Sequence, residues 1–535
     1  MQSVSRLTLF LCCAWVASLL YGEMFAYWVP LWSCSWPRRH SPAMDADPSQ
    51  TNHVDIAVLT DPQIMDTTSL KYLPVPFVFE MAKFYTDLYM GRSFDASIMP
   101  FNPDMILFLG DHFDGGPQLS DEEWYHSLDR FSRIFDPRKK EKHADIQVKY
   151  LSGNHDIGYS SLHPFSQKVI SRYEKGFGPR NYRFNIQTVE FIVVDAQTLD
   201  GPIEENLTSM TWEFIKNVSK ESKSNPKVLL SHIPLYRPDG TSCGPHRFSP
   251  IINQRIHYSG IGHGVSYQNY LTEETTKRLL ELIQPVLILS GHDHDQCIVT
   301  HTTPHGPAKE QTLGTVNWQQ GNLYPSFMLL SVVSPALSNL TNQEAKVTTH
   351  LCFLPMQTHI YIWYLILFVT TFLLSTFWPT NGFGCWDHCK HLFHYISEMI
   401  ITNYTTSKEK NEDENIEYEM VWDAEGSMHL VKKAIPIFPD VMSGDVGLTG
   451  TRGTVMARPQ ARKHTAQVAD HLSVALDMSA DAKADDISKS SSRAGKSIAR
   501  RLIQRLIRVV YMLTIIATVN IPLYTMLLFK DWIER

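Results

Sequence analysis

The sequence has little cysteine and no large excess of either charge, and both features exclude classes of protein. Its 535 residues contain only 8 cysteines, which are too few for a disulfide-rich scaffold. Lysine and arginine (48) nearly balance aspartate and glutamate (55), so the formal net charge is only −7. A chain without a basic surplus gives no indication of nucleic-acid binding. We therefore expect a large protein with an extensive core, in which the positions of the cysteines matter more than their number.

The mean hydropathy of −0.18 conceals three apolar runs of membrane-spanning length. Residues 7–29 are predicted to be a transmembrane signal anchor, because no small-residue cleavage site follows them cleanly; a cleaved signal peptide is the alternative. Residues 359–378 and 509–529 are predicted to be two further spans. Transmembrane helices are therefore expected towards both ends of the chain.

Basic residues and glycosylation sequons predict the side of the membrane on which each segment lies. Four arginines within 500–508 precede the third span and place residues 379–508 in the cytosol. Residues 30–358 and 530–535 are then lumenal, and residues 1–6 are cytosolic. The sequons at Asn206, Asn217 and Asn339 agree with a lumenal domain, whereas the sequon at Asn403 is interpreted as a chance match.

Four cysteines lie in the predicted lumenal segment. Cys34 and Cys352 both lie near a membrane end, so we expect them to form a disulfide. For Cys243 and Cys297, a bridge and two free buried thiols remain equally open.

The predicted cytosolic segment has its own sequence character. Composition indicates a largely disordered loop, above all at 443–496, and residues 498–508 resemble an interfacial lead-in to the third span. Cys385 and Cys389 lie near three histidines, but their spacing matches no strong zinc signature. Palmitoylated or free thiols are the favoured interpretation there.

Residues 54–350 alternate apolar runs with helical segments, which is typical of a layered α/β domain. Most of the predicted strands are continuous runs of Val, Ile and Leu, as expected for strands buried on both faces. The predicted strands are 55–60, 105–109, 148–151, 191–194, 228–231 and 286–290. The predicted helices are 77–89, 121–135 and 272–283. Ser120 and Glu123 form a capping-box signature before the second helix.

Polar clusters follow most of these strands. They are Asp61-Pro62-Gln63, Gly110-Asp111, Gly153-Asn154-His155-Asp156, His232 and Gly291-His292-Asp293-His294. Each cluster alone is typical of a turn or, for His232, of a core histidine. Ligands of open α/β sheets bind beyond the carboxyl ends of strands, so the ordered set predicts one site there. We expect Gly153 to permit a sharp backbone turn that a Cβ would strain.

This ordered set resembles the calcineurin-like metallophosphoesterase superfamily over residues 54–300, which implies a central β-sandwich flanked by helices. The order of motifs and apolar runs along the chain also resembles the membrane-bound branch of this superfamily, which removes ethanolamine phosphate from glycosylphosphatidylinositol (GPI) anchors. The motifs that carry this narrower resemblance are Cys34-Ser-Trp-Pro, Gly110-Asp-His-Phe-Asp-Gly, Gly153-Asn-His-Asp-Ile-Gly and Tyr324-Pro-Ser-Phe. The resemblance does not cover the 379–507 loop or the third span.

The superfamily resemblance implies a site for two divalent cations that clamp phosphoryl oxygens. Asp111 would bridge the two cations. The ligands of one cation would be completed by Asp61, Gln63 and His294, and the ligands of the other by Asn154, His232 and His292. Gln63 replaces a usual histidine, and its harder oxygen donor favours Mn²⁺ over Zn²⁺. Fe²⁺ and Zn²⁺ are the alternatives to Mn²⁺.

The resemblance also assigns roles around the cations. His155 would protonate the leaving-group oxygen, and Asp156 would either orient His155 or cap the turn. Asp114 stands where a tyrosine ligand would be needed for a ferric–tyrosinate centre, which disfavours such a centre. Asp114 itself would lie either behind the ligands or facing the substrate.

The implied function is a lumenal phosphodiesterase of the endoplasmic reticulum or Golgi that remodels GPI anchors and supports transport between these compartments. Its partners would be GPI-anchored proteins or GPI lipids, with cargo receptors as further candidates. The alternatives are a phosphodiesterase or phosphatase acting on phospholipid head groups, and an inactive scaffold that binds trafficking partners.

Overall fold

The computed structural model describes residues 2–37, 51–69, 76–139, 145–165, 167–202, 206–221, 225–250, 252–259, 264–321, 323–335, 346–378, 417–422, 428–433 and 484–533. Its contacts divide the chain into two units. One unit comprises residues 5–375 with 510–535, and the other comprises residues 1–4 with 376–509. Cys385, Cys389, Asn339 and Asn403 lie outside the described residues, as does most of the predicted disordered interval.

The described helices are α1 (Gln2–Glu23), α2 (Val29–Ser33), α3 (Pro76–Arg92), α4 (Asp121–Phe135), α5 (Asn154–Ile157), α6 (Gln167–Phe177), α7 (Asn206–Lys220), α8 (Glu273–Ile283), α9 (Gln357–Phe377) and α10 (Ala484–Ile533). The capping box is confirmed, because the Glu123 N–H donates to the Ser120 hydroxyl and the Glu123 carboxylate accepts from the Ser120 N–H. Thr272 caps α8 in a similar way through the Thr275 N–H.

The described strands are β1 (Thr51–Leu59), β2 (Met105–Phe108), β3 (Gln147–Tyr150), β4 (Tyr182–Ile186), β5 (Val189–Val194), β6 (Lys227–Ser231), β7 (Ile256–Tyr258), β8 (Val265–Gln268), β9 (Leu287–Ser290), β10 (Cys297–Thr303), β11 (Gly306–Thr312), β12 (Ser326–Pro335), β13 (Lys346–Phe353), β14 (Glu417–Trp422) and β15 (Met428–Lys433). One sheet has the order β13-β12-β1-β2-β3 and another has the order β10-β11-β9-β6-β5-β4. The pairs β7-β8 and β14-β15 each form a two-stranded sheet of their own.

The two large sheets pack face to face, with helices on their outer faces. Successive side chains of a strand point to opposite faces, so Ile56 packs between the sheets with Phe191, whereas Ala57 packs outward with Phe131 of α4. Trp212 of α7 belongs to the corresponding outer layer of the second sheet. Both faces of the central strands are therefore apolar, which confirms the predicted sandwich and explains the unbroken apolar runs.

The parallel strands bring the polar clusters to one edge of the sandwich. In the first sheet β1, β2 and β3 are parallel, and in the second β5, β6 and β9 are parallel. The predicted ligands follow β1, β2, β3, β6 and β9 directly. A hydrogen bond from the His292 N–H to the Asp61 carboxylate (3.1 Å) joins the two sheets at this edge.

Within the described residues, three helical segments are long and apolar enough to cross a membrane: Arg6–Glu23, Gln357–Phe377 and Leu502–Lys530. The first helix ends at Glu23, before the limit of 29 suggested by hydropathy, and a short 3-10 turn (Phe25–Trp28) and α2 follow. Residues 484–496 are helical within α10, although their composition predicted disorder. They continue the apolar helix because extending a helix costs less free energy than nucleating one. The sidedness of the segments stays a prediction.

A buried ion pair ties the apolar helices to the sandwich. Arg92 at the end of α3 pairs with Glu23 at the end of α1 (2.6 Å), and both side chains are almost fully buried. Arg92 also donates to the Leu527 carbonyl of α10. Removing either charge would leave the other buried without its partner, so this cluster holds the helix ends against the domain.

Both pairs of cysteines in the predicted lumenal segment are disulfide-bonded. The expected Cys34–Cys352 bridge is confirmed and joins the segment after α2 to β13. Cys243 and Cys297, for which bridged and free states were open, form the second bridge.

Candidate metal centre

Asp111 stands at the centre of the predicted site and is fully buried. Its carboxylate belongs to two groups of potential metal ligands whose atoms lie within 4.8 Å of one another. One group is Asp111 with His232 and His292, and the other is Asp111 with Asp61 and His294. A carboxylate shared by two ligand groups is the arrangement that a bridged pair of cations requires. The pairing of ligands is the one that the resemblance implied.

The His232 side chain is oriented for metal binding by its hydrogen bonds. Its Nδ1 lies 2.6 Å from the Leu109 carbonyl oxygen, which only accepts, so Nδ1 carries the proton in the neutral ring. The Nε2 lone pair then faces the Asn154 Oδ1 and an Asp111 oxygen, each at 3.2 Å. Three electron-rich atoms that converge in this way require a cation or a proton between them.

The pKa values reflect the burial of several titratable groups close to one another. Burial acts to lower the pKa of His232, but the Asp111 carboxylate outweighs it and raises this pKa to about 9. Burial and the neighbouring His232 lower the pKa of His292 to about 3. Burial acts to raise the pKa of Asp111, but His232 and His155 hold it far below its usual range. Burial raises the pKa of Asp61. Such opposed shifts are typical of functional sites.

Gln63 contributes a buried oxygen that has no partner within the described part of the chain. Its Nε2 donates to Asp111 at 3.0 Å, while its Oε1 is buried and makes no hydrogen bond. An unsatisfied buried acceptor is costly, and a hard cation would satisfy it. The residues present therefore fit a pair of divalent cations, held by Asp61, Gln63, Asp111 and His294 on one side and by Asp111, Asn154, His232 and His292 on the other.

The ligands are held in backbone conformations that residues with a Cβ seldom adopt. Among the described residues other than glycine, eight have positive φ, and five of these are predicted ligands: Asp61, Gln63, Asp111, His292 and His294. Such conformations cost about 1–3 kcal/mol each and persist where the surrounding structure enforces them. The edge of the sandwich that carries the predicted ligands is therefore strained, and the packed core maintains its conformation.

Gly153 has a different role from the one expected. Its φ of −111° is open to any residue, so backbone freedom does not explain it. A Cβ at Gly153 would lie 2.0 Å from Asp111 Oδ1 and 2.4 Å from the Asp111 nitrogen. Gly153 is thus required by the close approach of the bridging carboxylate, and the prediction of a strained turn was wrong.

Asp156 organises the loop that carries Asp111. Its buried carboxylate accepts from the backbone N–H groups of Asp111 (3.0 Å), His112 (2.9 Å) and Gly153 (2.9 Å). A further contact joins it to His112 Nδ1 at 2.9 Å. These bonds go to the bridging loop and the turn, not to the imidazole of His155, which favours the capping role over the orienting role.

His155 lies at the open side of the site. Its backbone N–H donates to Asp111 Oδ1 at 2.8 Å, and its Nδ1 bonds to the Asp114 carbonyl, which leaves Nε2 available for proton transfer. Burial acts to lower the pKa of His155, but Asp111 and Asp114 outweigh it and the pKa is raised. His155 and Asp114 line a cavity of about 490 Å³ together with Asp111, Asn154, His292 and His294.

His112 is a site residue that sequence reasoning did not single out. It is fully buried, contacts Asp156, and stacks on Phe177 with ring centroids 4.3 Å apart. Its position inside Gly110-Asp-His-Phe-Asp-Gly was a visible signal, but its contact with Asp156 depends on the tertiary fold. The hydroxyl of Thr60, which donates to Asp61 Oδ2 at 2.6 Å, was missed for the same reason.

Comparisons with known proteins agree with this geometry. Residues 56–296 match the calcineurin-like phosphoesterase family. The chain is 28% identical over 382 residues to "Cell division control protein 1" of Saccharomyces cerevisiae, covering 69% of this chain and 74% of that protein. It is 28% identical over 360 residues to "Metallophosphoesterase 1" of Rattus norvegicus, covering 63% and 84%.

Among solved structures, Vacuolar Protein Sorting 29 from Cryptosporidium parvum is similar at 12% identity and a TM-score of 0.21, covering 56% of this chain and 97% of that one. A likeness this weak carries no information on function. The family match, by contrast, spans every predicted ligand and His155. This match and the donor set show that residues 56–296 form a calcineurin-like phosphoesterase domain, which supports a metal-dependent phosphoesterase activity for this chain.

Proposed function

We propose that this protein is a membrane-anchored phosphodiesterase that removes ethanolamine phosphate from the glycan of GPI anchors. The observation that carries the reaction class is the pair of ligand groups that share Asp111, with His155 at the cavity beside them. Two cations held there, for which oxygen-rich donors favour Mn²⁺, would supply an activated water and neutralise phosphoryl charge.

The protein's own side chains would bind the substrate and protonate the leaving group. The phosphodiester would enter the cavity lined by Asn154, His155 and Asp114, with the mannose oxygen as leaving group towards His155. Because Nδ1 of His155 is held by the Asp114 carbonyl, the proton for the leaving oxygen comes from Nε2. The raised pKa of His155 favours the protonated ring that this step needs.

The anchoring of the domain supports a membrane-held substrate. Helices of spanning length precede and follow the sandwich, and the Glu23–Arg92 pair holds two of the helix ends close to it. The choice of GPI glycans among such substrates comes from the resemblance of the motifs to the GPI-remodelling branch. Phospholipid head groups are the rival substrates, because the same anchoring suits them.

Two disulfides and two exposed sequon asparagines support a lumenal domain. Disulfides persist in oxidising compartments, and both bridges lie in the segment between the first two apolar helices. Asn206 and Asn217 are exposed on α7. We expect endoglycosidase treatment of the cellular protein to remove glycans at both positions, and unmodified asparagines would contradict the lumenal placement.

The full-length protein, purified in detergent and loaded with Mn²⁺, provides the test. It should release phosphoethanolamine from a GPI glycan that carries this group on mannose, as measured by mass spectrometry, and should act poorly on lysophospholipids. Asp111→Asn should lose both metal and activity. A preference for lysophospholipids would overturn the substrate, and failure to cleave any phosphodiester would overturn the reaction class.

A further inference from the structure

A second cavity of about 490 Å³ adjoins the metal centre. It shares Arg255, Asn269, Asp293 and His294 with the cavity that contains the predicted ligands. His294 is itself a predicted ligand, so a molecule bound at the cations can extend past it into the second cavity. The two cavities therefore form one continuous binding region with the metals at one end.

Arg255 is the unpaired charge of this region. It immediately precedes β7, its side chain is exposed, and it lines both cavities. Its backbone N–H donates to Asn269 Oδ1 at 2.7 Å, but within the described residues its guanidinium has neither an ion pair nor a hydrogen bond. The nearby Arg247, by contrast, is bound to Asp293 at 2.6 Å.

The carboxylates of the second cavity are already satisfied. Asp293 is neutralised by Arg247 and also accepts from the Tyr270 hydroxyl at 3.4 Å. Asp295 accepts from the backbone N–H groups of Phe248 and Ser249 at 3.0 and 2.8 Å. Because the oxygens of both acids already accept hydrogen bonds, Arg255 is the charged donor left for a ligand, and a guanidinium donor suits an anionic group.

One wall of the second cavity is close in sequence to a residue that contacts an apolar helix. Gln320 and Gly321 form part of this wall. Two residues before Gln320, the Trp318 ring contacts Tyr361 of α9, with centroids 5.5 Å apart. Because α9 is of membrane-spanning length, the segment 318–321 links the wall of the cavity to a helix that could anchor the domain.

We propose that Arg255 binds a second phosphate of a membrane-anchored substrate, distinct from the phosphate that is hydrolysed. The planar guanidinium matches phosphate oxygens in a two-point contact, and Asn269 and Asn253 beside it supply further donors. The inference rests on the proposed function and adds to it a specificity requirement: the substrate carries two phosphates, one at the metals and one at Arg255.

Equilibrium binding tests the proposal independently of turnover. The probes are two non-hydrolysable phosphonate analogues of the scissile diester, one of which carries an additional methyl phosphodiester on the leaving-group side, where the proposed substrate carries its anchored glycan. Their Kd values are measured by calorimetry on the full-length Mn²⁺-loaded protein, as wild type, Arg255→Gln, Arg255→Lys and Arg133→Gln. Arg133 is the matched control, because it is an exposed arginine on α4 that pairs with Asp129.

We expect Arg255→Gln to weaken binding of the two-phosphate probe about 10- to 100-fold and to leave the one-phosphate probe unchanged. Arg255→Lys should restore part of the difference, and Arg133→Gln should resemble wild type. Equal weakening of both probes would mean that Arg255 holds the scissile phosphate or the fold, and no weakening would mean that it binds neither; both results overturn the proposal.

The same preparation separates this proposal from the proposed function. If wild type binds the two-phosphate probe through Arg255 but does not cleave GPI glycans, the subsite stands and the GPI assignment fails. If GPI glycans are cleaved equally well by wild type and Arg255→Gln, and the two probes bind both proteins alike, the function stands and the subsite fails.

Discussion

Replacing Gly153 by alanine tests whether the bridging carboxylate is placed by close packing of the backbone. Gly153 has φ −111°, so alanine is acceptable to the backbone itself. The added Cβ would lie 2.0 Å from Asp111 Oδ1, against the 3.4 Å at which ordinary contact begins. Asp111 would therefore have to move by about 1.4 Å (3.4 − 2.0).

A movement of this size is large for a metal ligand. Ligand distances in metal sites hold to about ±0.2 Å, and a misplacement of about 1 Å near the reacting atoms can cost about 100-fold in rate. Rotation of the Asp111 side chain would not relieve the clash, because the added Cβ of residue 153 would also lie 2.4 Å from the Asp111 backbone nitrogen. We expect at least a ~100-fold loss of kcat/KM, with about 1–3 kcal/mol of destabilisation from overpacking.

The assay compares metal content, phosphodiesterase rate and thermal unfolding of the full-length protein. Gly306→Ala is the control, because Gly306 has φ +119° and a Cβ there would meet nothing within 4 Å. Alanine at Gly306 is strained by about 1–3 kcal/mol but lies in the β10–β11 turn. Both variants should lose stability, and only Gly153→Ala should lose metal and activity.

Retention of two metals and of wild-type activity by Gly153→Ala would refute the reasoning, since it would mean that the bridge tolerates the displacement. An equal loss of activity in Gly306→Ala would also refute it, because the effect would then follow stability and not the position of Asp111.

Three further substitutions separate the roles of neighbouring residues. His155→Asn should reduce kcat by about 10²- to 10⁴-fold without loss of metal, and a fall in metal content measured by mass spectrometry would instead assign His155 to the ligands. Gln63→Leu removes the unpartnered Oε1 and should lower the bound metal from two ions towards one; two tightly held ions would show that Gln63 is not a ligand. Asp156→Asn removes charge from an acceptor of four backbone N–H groups, so we expect a loss of about 1–3 kcal/mol by thermal unfolding and a reduced rate. Unchanged stability and rate in that variant would contradict the role of Asp156 in placing the Asp111 loop.

Much of the fold could be predicted from local sequence. Strands buried on both faces leave continuous apolar runs, and the helix at 121–135 carries its own start signal in Ser120 and Glu123, so its predicted bounds coincide with α4. The strands β10, β11 and β13 were missed because they are rich in polar residues and carry no continuous apolar run. The apolar run of β12 was overlooked. The pairing of Cys243 with Cys297 was undecided because these residues lie 54 positions apart and meet only in the fold.

The sequence by itself determined which chemical groups are present and, through strand-end placement and family resemblance, which of them converge on Asp111. Parallel strands put their carboxyl ends at one edge, so the ligand set needed no coordinates to be anticipated. Only the tertiary structure decided what those residues contact. It favoured the capping role of Asp156 over the orienting role and gave Gly153 a steric role. Within the described residues, it also left the Gln63 Oε1 and the Arg255 guanidinium without a hydrogen-bond partner. Contacts of this kind join residues far apart in the chain, and their distances follow from how the two sheets and their loops pack.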